Sequence, residues 1–157
     1  MIEHILIRDL GVISEAKLNF HPGLTVLTGE TGAGKTMVLT ALGLLLGARA
    51  DSGMIRAGSN QAVLEGHWKL NPANPAIEKA EDAGALVEDG ELLLVRTVGS
   101  DSRSKAVIGG RAAPVGLLNE LAEHLVVVHG QSDQIRLKSP VAQRIALDRF
   151  AGSKHQD

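Results

Sequence analysis

Gly29, Gly34, Lys35 and Thr36 occupy the fixed positions of G-x-x-x-x-G-K-[ST], the Walker A spacing, and each residue type there suits phosphate chemistry. Glycines at 29, 32 and 34 let the backbone turn sharply and come close to an anion. Consecutive N–H groups along Gly29, Glu30, Thr31, Gly32, Ala33 and Gly34 can then point inward around a β-phosphate. The helix that follows adds its positive end. Lys35 is a point charge for the β- and γ-phosphate oxygens, and the Thr36 hydroxyl is placed to ligate the Mg²⁺ that bridges them. The ligand that fits is a nucleoside triphosphate with its magnesium ion.

Such a loop works only between a strand and a helix. Leu24, Val26 and Leu27 read as a buried strand that delivers the chain into the loop, and Met37 to Leu46 is an apolar helical run with no breaker except Gly43. The four fixed positions alone would coincide by chance in roughly one chain of this size in a few hundred. The strand–loop–helix context makes the signal far narrower.

The 157 residues, 44% of them hydrophobic, suffice for one domain with a real core. With no Cys there is no disulfide framework and no thiolate metal site, and the six His show no ligand spacing, which argues against zinc. The first apolar run contains an acidic residue and an arginine, so it does not read as a signal peptide. No apolar run approaches membrane-spanning length, and the expected location is the cytoplasm, with no membrane partner. A formal net charge of −2 argues against a surface that is basic throughout, so any DNA contact must be local. Aromatic residues, at 2%, are too few for the base-stacking platform of a single-strand binder.

In chain order, Ile2 to Asp9 and a second run through Ala16, Leu18 and Phe20 are strand-like and can pair as a hairpin-like edge. His21-Pro22-Gly23 is a turn into the Leu24 strand. Gly47 stops the P-loop helix, and residues 49–60 read as a polar surface loop with one short turn. A strand follows over Ala62 to Leu70, then a breaker at residues 71–75, a helix from Pro75 to Ala83 and a stop at Gly84. Glu91 to Val98 and Ser104 to Ile108 form a hairpin, and Gly109-Gly110 turns into a short return at Arg111 to Ala113. Pro114 opens a helix to about Glu123, and Leu125 to His129 reads as a buried, parallel-type strand. Ser139 and Pro140 start a last helix.

A P-loop ATPase also needs a carboxylate at a second strand end, to hold Mg²⁺ and orient the attacking water. None is present here: the apolar runs end in Leu94-Val95-Arg96 and Val128-His129-Gly130. The catalytic set is therefore incomplete within this chain.

The residues 29–36 as GETGAGKT, 41–51 as ALGLLLGARAD, 100–114 as SDSRSKAVIGGRAAP, and His129-Gly130-Gln131 resemble the N-terminal part of the RecN family of bacterial DNA repair proteins. These are relatives of the SMC proteins with an ABC-type ATPase head. The resemblance covers nearly all of the chain. It is more specific than Walker A alone, since most SMC relatives carry Asn at the position of Thr31. It implies an α/β fold: the N-terminal lobe of a P-loop ABC/SMC-type head, with a mixed sheet and an antiparallel β arm. Residues 1–138 would form the lobe from P-loop to Q-loop, and residues 139–157 the start of the helical segment that leads to a coiled coil. It also implies that Gln131 contacts Mg²⁺ and the attacking water, for which an amide is suited. The signature motif and Walker B carboxylates would lie in the C-terminal half of the same head.

The resemblance implies ATP and Mg²⁺ as cofactors, DNA and a second head in a homodimer as partners, and ATP-driven head engagement in double-strand-break repair on the nucleoid. Arg49 matches the place of an arginine loop in SMC-like heads; the plain alternative is a solvated arginine. Arg8 could reach the nucleotide or be one more exposed strand arginine. Arg103, Lys105 and Arg111 could touch DNA phosphates or merely keep an edge strand soluble. The rival reading is a self-contained P-loop kinase or phosphotransferase, which would need its own acceptor pocket and acidic residue.

Overall fold

The structure is a computed structural model that describes residues 1–29 and 33–127. Residues 1–126 form one compact unit, and Val127 is the one described residue of a second. Within the first unit, β1 (Ile2–Leu10) and β2 (Ile13–Asn19) are followed by α1 (Ala33–Leu45) and a 3₁₀ turn at Ser52–Met54. Then come β3 (Gln61–Lys69), α2 (Pro75–Asp82), β4 (Glu91–Gly99), β5 (Ser104–Ile108), β6 (Arg111–Ala113) and α3 (Val115–Leu125).

The strands make a six-stranded sheet in the order β2-β1-β3-β4-β5-β6, antiparallel at every described pairing. Strict alternation sets its two faces. Ala62, Leu64 and Trp68 of β3 and Leu92, Leu94 and Val98 of β4 are buried on one face, while Gln61, Lys69 and Glu91 stay outside. The buried face joins Ile5 and Ile7 of β1 to Ala41, Leu44 and Leu45 of α1 and to Leu118 and Leu121 of α3 in a single core. Each of the fully buried leucines contributes about 1.5–3 kcal/mol of burial. The hairpins expected from the sequence are present, β1 with β2 and β4 with β5, and Trp68 is a core residue.

Helix α1 ends where the glycine signal put it. Gly47, at φ 91°, donates to the Leu44 carbonyl at 3.1 Å, and Ala48 donates to that of Gly43 at 2.9 Å, the paired bonds of a Schellman cap. A side chain at 47 would also strike Asn119 of α3. Helix α2 starts as its composition suggests, with Asn74 accepting from the Ala76 N–H at 2.9 Å and Pro75 in the first turn.

One expected strand is not formed, and the described part of a second, residues 125–127, is not in the sheet. Leu24 to Leu27 is extended chain outside the sheet, with Leu24 91%, Val26 67% and Leu27 48% exposed. Leu125 closes α3 rather than opening a strand, and Val126 and Val127 pair with nothing described. Both are parallel-type runs, apolar on both sides, which need a partner strand and cover on each face. No described residue supplies either. The α/β class stands, and among the described residues every strand pairing is antiparallel. The Ser139-Pro140 helix and the 138/139 boundary lie outside the described residues.

Candidate nucleotide-binding site

The site is built at the N-terminal end of α1, whose face of Ala41, Leu44 and Leu45, flanked by Met37, Val38 and Leu42, is seated on the sheet. That spacing of three and four residues fixes the rotation of the helix. No acidic side chain stands in the first turn. The positive end of the helix is thus not neutralised from within and is left for an external anion.

Lys35 donates from Nζ to the Gly29 carbonyl at 2.5 Å, which ties the ammonium at the start of α1 to the first glycine of the motif. A Cβ at Gly29 or Gly34 would meet no described atom within 4 Å. Thr36 is exposed on the same turn, its hydroxyl available to a hydrated cation. An ammonium, a free helix N-terminus and a hydroxyl within one turn fit a Mg²⁺-bound triphosphate. When bound, the ion would neutralise and bridge phosphate oxygens; the chain's own part is to hold and orient them. Glu30, Thr31 and Gly32 lie outside the described residues, as do the side chain of Ala33 and the whole of His129-Gly130-Gln131.

The arginines separate. Arg8 is on the sheet face opposite α1, paired with Glu15 at 3.0 Å and Glu65 at 3.8 Å. Arg49 lies beyond the C-terminal end of α1, which is itself about 15 Å of helix rise from Lys35. Sequence reasoning missed Arg56. The segment after Asp51 runs back along β1, with the Gly11 N–H donating to Met54 at 2.7 Å and the Arg56 N–H to Asp9 at 2.8 Å. Arg56 Nη1 donates to the Val12 carbonyl at 2.7 Å. Gly11 approaches Met37 so closely that a Cβ there would stand 2.5 Å from its sulfur. Arg56, rather than Arg49, is therefore the arginine of this loop that returns to the P-loop end of α1. The available signal was a second arginine in the same glycine-punctuated stretch.

Arg103 and Lys105 line one cleft of about 280 Å³ with Asn60, Gln61, Thr97 and Asp101. Asp101 pairs with the Arg103 guanidinium at 3.3 Å and offsets part of its charge. Arg111 pairs with Ile108 at the other end of β5 and does not join this cluster.

The AAA domain model matches residues 4–81. The DNA repair protein RecN of Streptomyces coelicolor is 55% identical over 147 residues, 93% of this chain and 26% of that protein. RecN of Mycobacterium leprae is 43% identical over 159 residues, 98% of this chain and 27% of that protein. A structure solved in work on ATP-driven dimerization and DNA stimulated activation of SMC ATPases superposes with a TM-score of 0.62 at 22% identity, covering 95% of this chain and 98% of that one. The chain has the α/β fold of that SMC ATPase structure, and its first half matches the AAA domain model. Within that class the chain belongs to the RecN family of DNA repair proteins and spans about a quarter of the length of the curated relatives it matches. The kinase alternative finds no support in these relationships.

Proposed function

We propose that the chain is the ATP-binding lobe of a RecN-type head that acts in recombinational repair of DNA double-strand breaks. The observation that carries this is the N-terminus of α1, with no acidic side chain in its first turn and Lys35 Nζ on the Gly29 carbonyl, in a chain of this family. In this reading Gly29 to Thr36 cradle the phosphates and Thr36 ligates Mg²⁺. Gln131 adds a second ligand and orients the water. ATP hydrolysis is completed by the C-terminal half of the head and by a second head of a homodimer. DNA is met through Arg103 and Lys105, with Arg111 a separate contact at the far end of β5. Arg56 is the better candidate than Arg8 or Arg49 for reaching the nucleotide. Residues 1–138 are the lobe and residues 139–157 the rise toward a coiled coil, and the protein works in the cytoplasm on the nucleoid.

Calorimetric titration of the full-length protein with a non-hydrolysable ATP analogue tests the cradle. Lys35→Ala removes the one P-loop side-chain charge on the β- and γ-phosphates and is expected to abolish binding. Unchanged affinity would refute the assignment.

A further inference from the structure

The nucleotide reading uses one end of α1; the other end is held by a charge that it leaves unexplained. Arg96 stands in the middle of β4 on the core face and is 2% exposed. Its Nε donates to Ser104 Oγ at 2.6 Å, Nη1 to the Leu44 carbonyl at 3.1 Å and Nη2 to the Ala48 carbonyl at 3.3 Å. No described carboxylate lies within ion-pair distance. A buried cation without an anion is costly, and proteins seldom keep one unless dipoles replace the counter-ion. Here the dipoles are the Leu44 carbonyl in the last turn of α1, at the negative end of the helix, and the Ala48 carbonyl just past its glycine stop. Ser104 Oγ in turn donates to the Thr97 carbonyl at 3.4 Å, so the fork is braced from β5 as well.

We propose that Arg96 is a positioning residue for the phosphate cradle: by clamping the C-terminal end of α1 to β4 and β5, it fixes where the N-terminal end of the same helix stands. This rests on the nucleotide reading above. A thirteen-residue helix is a stiff rod, and shifting it along its axis at one end displaces the other equally. The apolar contacts of Ala41, Leu44 and Leu45 resist separation from the sheet but define axial position poorly, because methyl groups slide at low cost. A three-donor fork on two carbonyls and a hydroxyl fixes direction as well as distance. Phosphate cradling needs that precision, since a misplacement of about 1 Å is enough to weaken it severely.

The role predicts a separation of effects. An apolar residue of similar length removes the cost of burying the charge, so overall stability need not fall, whereas the axial constraint is lost. Arg96→Met in the full-length protein is expected to keep its melting temperature within a few degrees and to bind the ATP analogue about tenfold more weakly. Arg96→Lys keeps the charge but not the fork and should bind about threefold more weakly. In steady-state hydrolysis KM should rise while kcat stays within about twofold. Hydrogen exchange without nucleotide should be faster at Leu46, Gly47 and Ala48 in both variants. Folded variants with unaltered analogue affinity overturn the proposal, and if Arg96→Met does not fold, unaltered affinity in Arg96→Lys does so. The exchange arm separates this inference from the reading beneath it. If the unaltered protein shows no Lys35-dependent binding, the nucleotide reading falls, and unchanged exchange at residues 46–48 disproves the clamp by itself.

Discussion

At the scale of single residues, the cradle and the chemistry are divided between anchors and orienters. In the proposed function Lys35 and Thr36 engage the phosphates and their metal, whereas Gln131, by its place in the family motif, acts on the metal and the water. Gln131→Ala should therefore leave ATP binding within a few-fold and slow turnover strongly, read by comparing the dissociation constant with kcat. An equal fall in both would make Gln131 structural. His4 offers a residue-scale prediction about stability. It stacks on His67 across β1 and β3 with ring centroids 3.9 Å apart. Burial first, then the charges of His67 and Lys17, lower its pKa from the ordinary 6.5, against the opposing pull of Glu3 and Glu65. A lowered folded-state value means that the unfolded chain takes up the proton first. The contribution to stability is whole above pH 6.5 and is lost as the pH falls below it. Melting curves between pH 7.5 and 5.5 should show a smaller drop for His4→Gln than for the unaltered protein.

At the scale of elements, caps and turns do the placing. Asn74 caps α2 through Oδ1 and reaches from Nδ2 to the His124 carbonyl of α3 at 3.1 Å, so one side chain ties two helices. Asn74→Ala should cost about 1–2 kcal/mol and lower the melting temperature by about 3–6 °C. A change below about 1 °C would mean that the helices are held by packing alone. Helix α1 is unusual in being apolar nearly all round, with Leu39 65% exposed beside a fully buried opposite face. A helix of that kind is made to be covered on more than one side.

At the scale of the whole molecule, Leu24, Val26, Leu27 and Leu39 are apolar side chains left open around the P-loop. Exposed apolar groups concentrated at a functional site mark a surface made to be covered. The covering element in the proposed function is the C-terminal half of the head. This chain alone should then release phosphate no faster than background, because Lys35 and Thr36 can hold a triphosphate but no apolar run of the sequence ends in a carboxylate that could polarise the water. Adding the C-terminal half in trans should restore turnover, with Lys35→Ala as the contamination control. Robust Lys35-dependent turnover by the chain alone would show that one of its own carboxylates serves as base.

Local signals were enough for what local physics determines. Gly47 announced the end of α1, Asn74-Pro75 the start of α2, and period-two alternation the faces of β3 and β4. Turn and cap preferences depend on a few neighbouring residues, so they are legible in one sequence. What the chain alone could not reveal depended on distant partners. Leu24 to Leu27 has the composition of a central strand, but a strand exists only where another can pair with it. Arg8, Arg49 and Arg56 are alike in type; the sheet put the first on the far face, the helix carried the second away, and the strap along β1 brought the third back. Arg96, lodged in an apolar strand, read as a strand end without a carboxylate. Only the packing of β4 against α1 turned it into the counter-charge of a helix terminus, because the carbonyls that hold it lie 48 and 52 residues away in the chain.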